Sequence, residues 1–212
     1  MAALSAGGKK EGLTMGIQSK AIAAAIGIAC ATSAAQAEGY WGVALDVSKA
    51  TSEVPSFGNY EHDKIVPGIA VVLGNRINSG NFFYGYEASA SITLNGDFDE
   101  CSGFNPAPAL CKQAANLRVV GVVGQQMGEY DVYGKLGYGA VFGDFAVSPF
   151  SVDSGNVKGL TIGLGTSRQL NDATKLFGEV IYDAYRNSGG QPGGYVSNYD
   201  SINLRLGVMR SF

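Results

Sequence analysis

Seven charged residues stand where an extended chain would point all their side chains the same way: Asp46, Glu87, Arg118, Lys135, Glu179, Asp183 and Arg205. Each interrupts an alternation of apolar and small residues, and each shares its parity with glycine, serine or threonine. Period two is the signature of a strand with one apolar and one polar face. Carboxylates and bases gathered on one face can form an ion gate in a wet passage, or a polar filling if they pair. Burying a lone charge is expensive, whereas paired and hydrogen-bonded charges are tolerated. Filling is therefore the favoured reading. Arg118 and Lys135 fall on neighbouring strands and cannot neutralise each other. Glu87 next door, and Glu179 or Asp183 across a narrow interior, are the expected counter-charges, with Arg205 nearer Asp46 and Asp183.

Other chemistries find less support. His62, the only histidine, lies between Glu61 and Asp63. A hydrolytic triad needs a serine nucleophile within hydrogen-bond reach of the histidine, and no serine stands in a recognisable nucleophile motif, so His62 reads as a solvated loop residue. The glycines of Gly159-Leu160-Thr161-Ile162-Gly163-Leu164-Gly165 lack the following helix and the lysine–serine end of a phosphate loop. Cys101 and Cys111 are expected to form one disulfide in an exported chain. A metal would require a second pair of soft ligands. No enzyme activity, metal or cofactor is expected.

The elements that must position the seven charges are short alternating strands. Tyr40 to Ser48 sets Trp41, Val43, Leu45 and Val47 against Asp46 and small residues. Further strands are expected at Ile65 to Gly74, Phe82 to Thr93, Asn116 to Gly124, Tyr130 to Phe142, Lys158 to Arg168, Thr174 to Tyr185 and Ser201 to Phe212. Between them, long polar stretches (Lys49 to Lys64, Asn95 to Ala115, Gly143 to Val157, Arg186 to Asn198) alternate with short turns (Asn75 to Gly80, Gln125 to Glu129, Leu170 to Ala173). Eight strands with loops long on one side and short on the other describe an all-β, up-and-down antiparallel transmembrane barrel with both termini at the short-turn end. A soluble eight-stranded barrel would put its apolar parity inside. Here the charges share the glycine-rich parity, which suits a narrow lumen. Trp41, Phe82, Tyr130 and Phe212 collect at the lower strand ends as an expected interfacial girdle.

Composition agrees. Charged residues make up 16% of the 212 residues, against about a quarter in ordinary soluble domains. Residues 1–37 read as a secretory signal peptide. Lys20 precedes the apolar run Ala21 to Ala29, and Ala35-Gln36-Ala37 offers a small-x-small cleavage site before Glu38. Met15 would give a more ordinary start than Met1. Removing Lys9, Lys10, Lys20 and Glu11 with that segment leaves a net charge of about −5, which excludes nucleic acid as an expected partner. Cleavage also removes Cys30, leaving Cys101 and Cys111.

The terminal run Ser201-Ile202-Asn203-Leu204-Arg205-Leu206-Gly207-Val208-Met209-Arg210-Ser211-Phe212 resembles the strand by which bacterial outer-membrane barrels are recognised for assembly. Arg205, Gly207 and Phe212 stand in their expected places, and Arg210 departs from that pattern. Three further passages extend the resemblance: Gly80 to Ala90 around Tyr86-Glu87-Ala88; Leu117-Arg118-Val119 with Tyr133-Gly134-Lys135-Leu136-Gly137-Tyr138; and Phe177-Gly178-Glu179-Val180. Together they are similar to the small OmpA-like, porin-like outer-membrane barrels of alphaproteobacteria, over essentially all of residues 38–212. The resemblance implies an eight-stranded barrel in the outer membrane of a Gram-negative cell envelope, without enzyme activity in most members. It also implies outer-membrane lipid and lipopolysaccharide as surroundings, and the barrel-assembly machinery as a partner in biogenesis. Two functions follow: a structural surface protein with a charge-plugged lumen and loops that contact an unassigned ligand, or a narrow passive channel for small solutes.

Overall fold

The computed structural model describes residues 37–54, 58–61, 65–96, 110–148, 151–186 and 198–212. Residues 1–36 of the expected signal peptide, His62 and Cys101 lie outside them, and so does any bridge to Cys111. Strands and turns account for the described chain: β1 (Ala37–Val54), β2 (Gly58–Glu61), β3 (Val66–Ser79), β4 (Phe82–Thr93), β5 (Leu110–Met127), β6 (Tyr130–Ser148), β7 (Ser151–Asn171), β8 (Thr174–Arg186) and β9 (Asn198–Ser211). All pairings are antiparallel: β1 pairs with both β2 and β3, β3 to β9 pair in chain order, and β1 pairs with β9 to close the sheet. Eight strands form the barrel. The ninth, β2, pairs only with the end of β1, continuing the ladder beyond β3.

The registers fix the size of the barrel. Crossing every ladder from Val43, the chain of partners runs Val71, Ala90, Leu117, Ala140, Lys158, Arg186 and Asn198, and returns to β1 at Glu53. The return lies ten residues along β1, so the shear is 10. With strand rise and spacing of about 3.3 and 4.8 Å, that gives a tilt of about 40°, a backbone radius of about 8 Å and about 2.5 Å of height per residue. Such a lumen holds side chains and little else.

The turns are tighter than the sequence suggests. Two residues join β3 to β4, β5 to β6 and β7 to β8. Gly80 (φ 60°) and Gly128 (φ 69°) take the first central position of their turns, as the type II′ hairpin demands. The strands accordingly run past their expected ends. β3 continues through Arg76 to Ser79 and β5 to Met127, where turns were expected.

At the opposite end the long stretches are partly ladder. β1 reaches Val54 and folds back through β2, β5 begins at Leu110, and β9 begins at Asn198. The expected loop Gly143 to Val157 is a correction: β6 and β7 pair through Phe142↔Asn156 and Asp144↔Ser154 out to Ser148↔Ser151. Backbone hydrogen bonds need no apolar alternation, so a hairpin can continue where the side-chain pattern has already turned polar.

The parities follow the sequence reading. Outward side chains of β1, Trp41, Val43, Leu45 and Val47, are exposed, and Ala44, Asp46 and Ser48 are buried. On β7 the outward residues between Lys158 and Arg168 are Leu160, Ile162, Leu164 and Thr166; on β9 those between Asp200 and Arg210 are Ile202, Leu204, Leu206 and Val208. Each interval spans ten residues, hence about 25 Å of height. Trp41, Phe82, Tyr130 and Phe212 are all exposed toward the turn end.

Candidate functional site: a layered, charge-filled lumen

Every inward charge is placed by a register. Asp46 on β1 and Glu179 on β8 stand directly opposite Arg205 on β9, one on each side. Arg205 donates to Asp46 through Nε at 2.7 Å and Nη2 at 3.0 Å, and its Nη1 lies 3.7 Å from Glu179. Lys135 reaches across the lumen from β6 to both Glu87 and Glu179. Two phenols complete this middle layer: Tyr40 donates to Glu87 at 3.0 Å and Tyr133 to Glu179 at 2.8 Å. Asp46, Arg205, Glu179, Lys135 and Glu87 thus form one connected chain of charges.

Arg118 belongs to a separate layer nearer the loop end. Its Nη2 donates to Asp183 at 2.7 Å and its Nε at 3.1 Å, a two-pronged geometry that suits a guanidinium on a carboxylate. Asp183 also accepts from Thr161 (2.7 Å), Asn203 (2.9 Å), Ser201 (3.2 Å) and Asn116 (3.3 Å). The seven inward charges therefore fall into two groups. Among the described residues Arg118 pairs with Asp183 alone, and Arg205 with Asp46 and Glu179 rather than Asp183. The reason is reach. Arg205 faces Glu179 directly, whereas Asp183 stands four residues further along β8, about 10 Å higher.

A third layer at the turn end lies beyond the seven expected charges, centred on Asp131, whose parity already points inward. Asp131 accepts from Arg76 at 2.8 Å, Lys175 at 2.7 Å and Ser167 at 3.0 Å, and the Arg76 guanidinium lies 3.5 Å from the centre of the Phe83 ring. Arg76 had been assigned to a turn. Lys175 was legible from parity, since Leu176 beside it points outward. With this layer the interior balances: Arg76, Arg118, Lys135, Lys175 and Arg205 face Asp46, Glu87, Asp131, Glu179 and Asp183.

The loop end of the lumen is apolar. Tyr185 and Tyr199 stack at 5.8 Å among buried Ala50, Val66, Val141 and Val157, and Tyr199 donates to Gln113 at 3.0 Å. Inward glycines make room for the other large rings. A Cβ at Gly165 would overlap the Tyr133 ring, and one at Gly74 the Tyr40 ring. A cavity of about 30 Å³ remains at the turn end, bordered by Tyr40, Arg76, Phe83, Tyr133 and Lys175. That is room for about two waters. Among the described residues three buried polar atoms lack a hydrogen-bond partner, Arg118 Nη1, Arg205 Nη1 and Glu179 Oε2. Among the described residues no cluster of three or more His, Cys, Asp or Glu side chains could hold a metal.

At the C-terminus, Gly207 lies against the buried Phe177 ring and the Ala44 side chain, so a larger residue there would collide. The Phe212 amide donates to Gly39 O at 2.9 Å, and its ring covers Gly39, where a Cβ would come within 2.7 Å. The last residue is thereby fastened to β1 beside the seam that closes the barrel.

The whole architecture has counterparts among solved structures. Ail, the attachment invasion locus protein of Yersinia pestis, solved in complex with the heparin analogue sucrose octasulfate, superposes with a TM-score of 0.51 at 17% identity, over 82% of this chain and 99% of that one. Neisserial surface protein A superposes with a TM-score of 0.53 at 14% identity, over 82% of this chain and 97% of that one. No protein-family model matches the chain, and no curated protein matches it in sequence. At such identities the likeness is one of fold. The chain is a closed eight-stranded antiparallel β-barrel, and its structural neighbours are small outer-membrane barrel proteins.

Proposed function

We infer that this protein is a structural surface barrel of the outer membrane, related to the OmpA-like, porin-like proteins of alphaproteobacteria, with a lumen closed by its own charges. The observation that carries this reading is the interior: five bases and five carboxylates, paired through the height of an eight-stranded barrel and backed by an apolar layer at the loop end. A solute path would need hydrated, mobile groups along its length. Here guanidinium and carboxylate groups hold one another in place, as in eight-stranded barrels filled by side chains.

The outer face supports the membrane assignment. An uncharged belt about 25 Å tall matches the apolar band of barrels that cross a bilayer, and the aromatic rings of Trp41, Phe82, Tyr130 and Phe212 mark its lower boundary. The signal peptide would direct residues 38–212 to export, and the strand ending at Phe212 would serve as the assembly signal read by the barrel-assembly machinery. The work of such a protein is mechanical and adhesive: it strengthens the envelope and presents loops to the exterior, with no catalytic step.

A strain lacking the protein tests this directly. It should become sensitive to detergents while taking up small solutes at the normal rate, with both phenotypes read against a complemented strain. Slowed solute uptake with unchanged detergent sensitivity would favour the channel reading instead.

A further inference from the structure

On the outer wall near the loop end, Lys158 on β7 and Arg186 on β8 stand directly opposite each other, both pointing outward and exposed. Like charges facing each other across a ladder destabilise the pair, so the arrangement calls for an anion between them. The protein supplies only part of one. Arg186 Nη1 donates to Asp200 at 3.0 Å and to its own strand's Tyr185 carbonyl, and among the described residues Nε and Nη2 take no partner. Asp200 is shared further with the Tyr182 hydroxyl at 2.9 Å. Lys158 has no ion pair among the described residues, and its neighbour across the other ladder is Ala140.

Height says which anion would meet them. Lys158 lies immediately above Leu160, the uppermost apolar residue among the described outward side chains of β7, and ten residues, about 25 Å, from Arg168 at the other edge of the belt. In a bilayer that is the plane of the outer-leaflet head groups. A phosphate there takes charge-assisted bonds from a guanidinium edge and an ammonium together.

The geometry points to a binding site for the phosphate of an outer-leaflet glycolipid, formed by Lys158 and Arg186 with Tyr182 and Leu160 beneath it. This inference rests on the membrane assignment above and adds to it a particular lipid contact.

Native mass spectrometry of the refolded full chain in neutral detergent tests it, with diphosphoryl lipid A as probe and its dephosphorylated form as control. The wild-type barrel should retain the diphosphoryl lipid and not the control. The double variant Lys158→Gln/Arg186→Gln should weaken retention about tenfold or more, while Arg168→Gln/Arg210→Gln, which removes two outward cations from the opposite rim, should leave it unchanged. A heat-dependent shift in gel migration equal to that of the wild type shows that each variant is folded. Equal retention by both double variants, or equal retention of the dephosphorylated lipid, overturns the inference. Displacement by an equal concentration of inorganic phosphate overturns it too, since the site would then take free phosphate. Insertion of the wild-type barrel into phosphatidylcholine vesicles separates the two claims. Insertion without lipid discrimination sinks the site alone, and failure to insert sinks the membrane assignment with it.

Discussion

Asp183→Asn is the sharpest perturbation of the lumen. The carboxylate is wholly buried and accepts from six donor atoms on five residues, among them both prongs of Arg118, whose side chain is 2% exposed. The amide keeps the shape and part of the hydrogen bonding but leaves the guanidinium without its counter-charge. Breaking a buried pair from one side costs about 3–5 kcal/mol. With a urea dependence of about 2 kcal/mol per molar, the unfolding midpoint should fall by about 2 M. The double substitution Arg118→Met/Asp183→Leu removes both charges and fills the space with apolar groups, so it should cost less than the single change. Urea titration of the refolded barrel in detergent, followed by circular dichroism and by heat-dependent gel migration, reads all three proteins. A loss below about 0.5 kcal/mol for Asp183→Asn, the range of an exposed pair, would mean that water reaches the site and that the layers do not seal the lumen.

Three further outcomes are expected. Gly165→Val should push Tyr133 off Glu179 and destabilise the barrel by about 1–3 kcal/mol in the same titration, the usual cost of overpacking; a neutral result would refute the ring-over-glycine packing. Deleting Phe212 should lower outer-membrane yield far more than Ser211→Ala, because only the former releases the contact with Gly39; similar yields would remove Phe212 from assembly. Protein purified without reductant should show a Cys101–Cys111 bridge by mass spectrometry. Closing that short loop is worth on the order of 2–3 kcal/mol in the chain-entropy model, and two free thiols would disprove it.

What could be read from the sequence was decided by periodicity. Strand number, the inward parity of Asp46, Glu87, Arg118, Lys135, Glu179, Asp183 and Arg205, and the outward aromatics all follow from a period of two, which one buried face makes strict. Pairing between distant strands did not follow, because it depends on the shear of the closed sheet. A shear of 10 puts Lys135 level with Glu87 and Glu179 and sets Asp183 with Arg118 above them. Arg76 was missed because Asn75, Asn78 and Gly80 imitate a turn, while the hairpin bend needs only Gly80 and Asn81. The β6–β7 extension was missed because Gly143, Pro149 and Gly155 read as loop residues although the ladder runs past two of them.

Current across a planar bilayer carrying the refolded barrel puts the closed lumen to the most direct test. Five bases balanced by five carboxylates, and an apolar layer, predict no steady conductance above the bare membrane at any moderate voltage, in wild type and in Glu179→Gln alike, the variant losing stability only. A reproducible unitary conductance in wild type, or a steady one in Glu179→Gln with unchanged unfolding in urea, would show that the charges line a passage and that the protein is a pore.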